Sequence, residues 1–307
     1  YDLFLVKSAD EKESDLLRTL KLTTVRLTDT EKDESSLTVS PDGKKISFLR
    51  GRGTLITAEM SDKDKLTNQT VLLNGWATPS GVCWSPDSRW LAYALDDLNF
   101  NSEIYIHRAD NSLDPVNVSM HPRADSSPVW SPDGSKLGFT SVRNNQDNDV
   151  WFAWLKKSDW QKTREDWIDT EVETPDKEDE KKDKKDDDKP EPVDIDLENI
   201  HERLVQVTSM PGGESNIQIT KDGKTFFFTA STPTSSGSDL FSITWDGKDI
   251  KQITKGGLNP RSIQFGPAHS WLYYLSRGRI QRRKDGNGKQ EAVAFAAHMT
   301  IDHTALR

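Results

Sequence analysis

The stretch Ser40-Pro41-Asp42-Gly43 decides the fold of this chain, because the same pattern returns at regular intervals. It recurs as Ser131-Pro132-Asp133-Gly134 and, with its glycine replaced, as Ser85-Pro86-Asp87-Ser88. Proline presets the backbone of a tight turn, and aspartate and glycine favour its remaining positions. We therefore interpret the repeated stretch as a structural turn. A related turn is Thr220-Lys221-Asp222-Gly223. Four aspartates are predicted to cap backbone N–H groups in these turns: Asp42, Asp87, Asp133 and Asp222.

The spacing of the turns marks a repeat. Asp42 and Asp87 are 45 positions apart, and Asp87 and Asp133 are 46 apart. In each unit a short strand ends at the turn, and the next strand alternates large apolar residues with other residues. The alternating pairs are Ile46/Phe48, Leu91/Tyr93, Leu137/Phe139, Phe226/Phe228 and Leu272/Tyr274. Two further strand-like segments complete each unit, so the chain is predicted to be all-β, a β-propeller of four-stranded antiparallel blades.

Counting the units leaves an incomplete one at the start. Five units are complete, and residues 1–10 and 23–30 resemble the third and fourth strands of a unit that lacks its first two. The sequence therefore predicts six blades with the first one incomplete, or an excerpt of a seven-bladed ring, and both remain open. We expect residues 1–307 to form a single propeller domain.

One blade carries a long insertion, residues 158–192. Trp160 and Trp167 are seven positions apart, which favours a short amphipathic helix docked on the rim. Residues 171–192 then contain eleven Asp or Glu and six Lys with no aromatic residue. Such a run is expected to be a disordered or extended, solvated linker, although it could instead serve as a docking arm for another domain.

The composition excludes several classes of protein. The 307 residues carry a net charge of −9 and show no basic stripe, which argues against nucleic-acid binding. No run of 18 apolar residues is present, so no membrane-spanning helix is expected. Cys83 is the single cysteine, which rules out an internal disulfide and a zinc site built on several cysteines.

The chain also lacks the motifs of common active sites. No Gly-x-Ser-x-Gly, no His-Glu-x-x-His and no phosphate-binding loop occurs. We predict no catalytic residue, no metal site and no cofactor within these residues. Because first strands line the axis of a propeller, polar residues near their starts are candidates for contact with a peptide: Asp125, Glu214 and Arg261.

The repeat with its SPDG turns resembles the TolB/tricorn type of propeller. Residues 192–220 resemble the entry into a blade of tricorn-like proteases, and residues 148–160 and 292–307 are similar to other segments of bacterial tricorn homologues. This resemblance implies a serine peptidase whose propeller gates or positions peptides, or docks a protein. The implied partners are peptides or protein segments and the C-terminal catalytic and PDZ-type domains of the parent chain. It further implies a homo-oligomer in the full protein and a periplasmic or secreted location, with the cytoplasm as the alternative. No residue here matches the family's catalytic motif.

Two alternatives remain at this stage. One is a stand-alone, TolB-like periplasmic propeller that binds proteins of an envelope complex. The other is the propeller cap of a prolyl-oligopeptidase-type enzyme. The codons after Arg307 in the full gene would distinguish the three.

Overall fold

The computed structural model of this chain describes residues 1–144, 146–162, 166–167, 191–232 and 236–295. They form one two-stranded and five four-stranded antiparallel sheets, which we number blades 1 to 6 in chain order. The strands are β1 (Phe4–Ser8) and β2 (Leu22–Arg26) in blade 1; β3 (Glu34–Val39), β4 (Lys45–Arg50), β5 (Thr54–Met60) and β6 (Leu66–Asn74) in blade 2; β7 (Ser80–Trp84), β8 (Trp90–Asp96), β9 (Ser102–Arg108) and β10 (Val116–Asn117) in blade 3; β11 (Asp125–Trp130), β12 (Lys136–Ser141), β13 (Asp149–Trp154) and β14 (Leu204–Gln206) in blade 4; β15 (Glu214–Ile219), β16 (Thr225–Ser231), β17 (Ser238–Thr244) and β18 (Lys251–Gln252) in blade 5; and β19 (Arg261–Phe265), β20 (Trp271–Ser276), β21 (Arg279–Lys284) and β22 (Gln290–Ala292) in blade 6. The prediction of six blades with an incomplete first blade is confirmed.

The repeated turn has a side-chain explanation. The Ser40 hydroxyl donates to Asp42 Oδ1 at 2.6 Å, and the Lys44 amide donates to the same oxygen at 3.1 Å. Gly43 adopts φ +70°, a value that glycine tolerates best. Ser88 occupies the same place in blade 3 with φ +59°. Serine, aspartate and glycine together therefore reverse the chain between the first two strands of a blade.

Each first strand also contains a β-bulge, which the sequence analysis missed. The pairing register shifts after the first residues of β3, β7, β11, β15 and β19. A residue with positive φ lies at each shift: Ser36, Gly81, Ser127, Asn216 and Ser262. A bulge adds one residue and increases the local twist of a strand. The same distortion is therefore repeated in all five complete blades.

The core consists of five clusters, one between each pair of consecutive blades. Leu3 of blade 1 packs against Ile46 and Phe48 of blade 2, for example, and Phe227 of blade 5 packs against Leu272 of blade 6. All ten predicted alternating residues of the second strands are buried in these clusters. Stacking blade on blade is thus the main source of apolar burial, as a repeat fold requires.

The blades have two distinct ends. The first strands β3, β7, β11, β15 and β19 lie next to one another in sequence order, so they form the inner side of the stack. We call the end with the SPDG-type turns the turn end. The opposite end, where the chain enters each first strand, we call the loop end.

The insertion in blade 4 leaves and returns at the turn end. Helix α1 (Lys157–Gln161) follows β13, and a 3-10 helix (Ile200–Glu202) precedes β14. Trp167 stacks on Trp154 with ring centroids 5.2 Å apart, whereas Trp160 is 43% exposed. The predicted charged linker falls mostly on residues 168–190, outside the described residues. No helix among the described residues is long and apolar enough to span a membrane.

Candidate functional site

A large cavity lies at the turn end, where the turns of four blades converge. Its volume is about 730 Å³. It is partly open to solvent, and we call it the mouth. Its lining residues are Pro86, Pro132, Asp133, Gly134, Lys156, Glu191, Pro192, Val193, Asp194, Lys221, Pro267, Ala268 and His269.

The mouth combines apolar rings with charges of both signs. Pro86, Pro132 and Pro267 come from the turns of three different blades, and their rings carry no N–H donor. Lys221 and Asp133 add one charge of each sign from neighbouring turns. A polypeptide offers apolar side chains together with charged and polar groups, so this surface has the chemistry to contact an extended chain.

Part of the mouth is built by the chain that returns from the insertion. The Val193 amide donates to Asp87 Oδ2 at 2.8 Å, across 106 positions of sequence. A side chain at Gly134 would come within 3.1 Å of Val193, so glycine leaves room for this approach. Lys156 and Asp194 form an ion pair at 3.4 Å. The segment 191–197, which we call the return segment, is thereby fixed against the turns of blades 3 and 4.

His269 is the titratable ring in the mouth. Its Nδ1 atom is buried and has no hydrogen-bond partner among the described residues. Burial lowers the pKa of His269, and the nearby Lys221 cation lowers it further. The neutral form of the imidazole is therefore favoured at pH 7.

The turn aspartates lie at the same end and accept hydrogen bonds from their own turns. Asp133 accepts from the Ser135 amide at 3.1 Å, and Asp222 accepts from the Lys224 amide at 3.1 Å. Asp133 also lines the mouth. These bonds agree with a structural role, which the sequence assigned to all four aspartates.

The three residues predicted as peptide contacts lie at the other, loop end, each at the start of a first strand. Asp125 is fully buried and accepts two bonds from Arg143, with the closer atoms 3.1 Å apart. Glu214 is 1% exposed and accepts a bond from Thr208 at 2.9 Å. Arg261 is exposed. Only the arginine presents its side chain to solvent, and contact of any of them with a peptide stays a prediction.

The sequence analysis did not predict the mouth, although the sequence contains a signal for it. The prolines of the turns recur with the period of the blades, at Pro86 and Pro132, and Pro267 keeps the proline where the rest of the motif is lost. Residues at one place in successive blades must meet around the axis. Among the described residues, no three His, Cys, Asp or Glu side chains are placed to hold a metal ion.

Comparison with known proteins relates this geometry to known folds. No protein-family model and no curated protein matches the sequence. The structure of TolB from Agrobacterium tumefaciens is similar to this chain, with TM-score 0.57 and 16% identity. The match covers 88% of this chain and 83% of the TolB chain. For TolB from Acinetobacter baumannii the match covers 88% of this chain and 56% of the TolB chain, with TM-score 0.53 and 14% identity.

Tricorn protease is a further structural match. It covers 89% of this chain with TM-score 0.64 and 11% identity. The chain spans 27% of the length of that protease structure. At these identities the likeness concerns the fold, and the chain therefore has the TolB/tricorn type of β-propeller fold.

Proposed function

We propose that this propeller binds extended peptides or unfolded protein segments at its turn-end mouth, and that it gates or positions them for a tricorn-like peptidase. The observation that carries the proposal is the mouth itself: four turns and the return segment surround one solvent-open cavity with proline rings and both signs of charge. A first strand from each of these blades leads to it from the inner side.

The proposed setting is a larger protein. The match to tricorn protease covers 27% of that chain, which leaves room there for other domains. We propose that residues 1–307 act as one propeller domain with an insertion at 158–192, beside the catalytic and PDZ-type domains of the parent protein. The similarity to TolB from two bacteria supports a periplasmic or secreted location.

A second candidate function is a stand-alone propeller that docks proteins of an envelope complex. The coverage of 83% of the Agrobacterium tumefaciens TolB structure favours it. Both candidates use the propeller as a binding module, and they differ in whether a peptidase receives the bound segment.

The binding experiment uses fluorescence anisotropy with a fluorescein-labelled tryptic digest of casein. Ala268 is exposed in the mouth, so Ala268→Trp places a large ring at the cavity without removing a buried contact. Leu113 is 48% exposed and lies outside the mouth, and Leu113→Trp is the matched control. We expect Ala268→Trp to weaken binding about tenfold and the control to bind as the unmodified chain does.

Absence of binding, or an equal effect of the two variants, would contradict the proposal. The same pair in the full-length protein separates the two candidate functions. For a peptidase, Ala268→Trp lowers kcat/KM for peptides. For a stand-alone binding protein, no cleavage is observed with any variant, while the anisotropy result is unchanged.

A further inference from the structure

Three large apolar side chains are exposed together at the loop end, at the opposite end of the blades from the mouth. Trp76 is 45% exposed, Leu98 is 84% exposed and Phe100 is 76% exposed. Trp76 and Phe100 contact each other edge to face, with ring centroids 5.5 Å apart. Exposed apolar clusters of this kind mark interaction surfaces more often than isolated exposed residues do. We call these three residues the apolar patch.

Two residues of the patch, Leu98 and Phe100, lie on a hydrogen-bonded turn. Between β8 and β9, Asp97 Oδ1 accepts the amides of Asn99 at 2.7 Å and Asn101 at 2.9 Å. The Phe100 amide donates to the Asp97 carbonyl oxygen at 3.1 Å. Leu98 and Phe100 therefore project from a turn whose backbone is already fixed. A fixed turn reduces the entropy lost when a partner binds.

A small cleft lies beside the patch. It measures about 100 Å³, and its lining includes Leu73, Trp76 and Leu95. The carboxylate-bearing Asp96 lies at the same cleft and is exposed. The cleft thus offers apolar walls for one side chain and a negative charge next to them.

The corresponding hairpins of the other complete blades have no large apolar residues in their turns. The hairpins after β4, β12, β16 and β20 contain no Leu, Phe or Trp between their strands. The turn in blade 3 reads Asp97-Leu98-Asn99-Phe100-Asn101. Because the blades share one architecture, a feature confined to one hairpin is not a requirement of the fold.

The charge around the patch indicates the chemistry of its partner. Asp96 and Asp97 precede Leu98 directly, and the loops at 51–53, 75–79 and 97–101 beside the cleft contain one cation, Arg52, so the two carboxylates outnumber it. We propose that the apolar patch is a docking surface for a segment of another protein that carries a large apolar side chain beside a lysine or arginine. The apolar side chain enters the cleft beside Trp76, and the cation faces Asp96.

The test uses a display library of random peptides and the whole chain as bait. The library is first depleted on the Trp76→Ser/Phe100→Ser double variant, which keeps the mouth, and is then selected on the unmodified chain. This step removes peptides that bind the mouth, so the outcome is independent of the proposed function. We expect the enriched peptides to share an apolar residue next to a lysine or arginine.

Synthetic peptides from the selection give the quantitative result. Leu98→Ser is the second variant, because a side chain that is 84% exposed is not needed for folding. We expect Leu98→Ser and Asp96→Asn each to weaken binding about tenfold, and added salt to weaken binding to the unmodified chain but less so to Asp96→Asn. Circular dichroism verifies that each variant is folded.

Several outcomes would overturn the proposal. They are the absence of any consensus after depletion, a consensus rich in Asp or Glu, or peptides that bind the folded Leu98→Ser and Asp96→Asn variants as tightly as they bind the unmodified chain.

Discussion

Glu214 and Asp149 are both buried at the junction of blades 4 and 5, and each of these two acids shifts the pKa of the other. Burial raises the pKa of Glu214 to about 8, and the carboxylates of Asp149 and Asp147 add to this increase. Burial also raises the pKa of Asp149. Burial therefore favours the protonated, neutral form of Glu214 near pH 7.

The other buried acids at the starts of first strands are neutralised differently. Glu34 lies opposite Arg50 in its ladder and forms an ion pair with it at 2.9 Å, and Asp125 is paired with Arg143. Glu214 lies opposite Ala230. Arginine neutralises the charge of Glu34 and of Asp125, whereas protonation neutralises Glu214.

This difference predicts a pH dependence of stability at one blade junction. The folded-state pKa of Glu214 lies above its ordinary value of 4.5, so its contribution to stability is complete below pH 4.5 and is lost as the pH rises toward about 8. The glutamine side chain in Glu214→Gln is neutral without a proton, so its burial does not depend on pH. Between pH 5 and pH 8, we expect the free energy of unfolding to fall by about 2 kcal/mol less in this variant than in the unmodified chain, as measured with urea.

Glu34→Gln is the matched control, because it removes a buried acid at the same place in another blade. It leaves Arg50 without its partner, so we expect a loss of about 3 kcal/mol at both pH values. Equal pH dependence in Glu214→Gln and the unmodified chain would show that the glutamate is not protonated.

Two glycines of blade 6 predict a difference in packing. Gly286 has φ +72° and Gly278 has φ +73°, so alanine meets the same backbone cost at both. A side chain at Gly286 would overlap the ring of the buried Phe227, whereas nothing lies within 4 Å at Gly278. Thermal and urea unfolding should show that Gly286→Ala is the less stable variant, by about 2 kcal/mol. Equal losses would mean that blades 5 and 6 are not closely packed at this contact.

The link between Asp87 and the return segment predicts a local effect. Asp42 and Asp87 both accept bonds within their own turns, but Asp87 Oδ2 also accepts the Val193 amide. Asp87→Ala should therefore cost about 1 kcal/mol more than Asp42→Ala. Hydrogen exchange at the Val193 amide should accelerate in Asp87→Ala only. Acceleration in both variants, or in neither, would contradict a specific link.

The blade pattern was predictable because it is local. Period-two alternation at Leu91 and Tyr93 or at Leu137 and Phe139 identifies the buried face of a strand, and all four side chains are buried. The bulges were missed because a single added residue changes the pairing while the adjacent strand keeps its pattern. The sequence does carry a signal for the bulges. A small or polar residue, such as Ser127 or Asn216, interrupts the first strand, and the strand pattern resumes after it.

The sites were less predictable because they depend on contacts between distant residues. Val193 meets Asp87 across 106 positions, and no local pattern announces that contact. Glu214 was predicted to contact a ligand because it starts an inner strand. Its side chain is buried instead, because the connection that contains Thr208 folds over it. The local pattern indicates the place of such a residue on its strand, and packing decides whether solvent reaches it.

The central claim, that the turn-end mouth receives extended polypeptide, is tested most directly by photo-crosslinking. A benzophenone amino acid is placed at Ala268 in the mouth or at Leu113 on the same folded chain, and each protein is irradiated with reduced, unfolded casein. We predict adducts from position 268 and none from position 113. Adducts from position 113 alone, or equal yields from both positions, would contradict the claim.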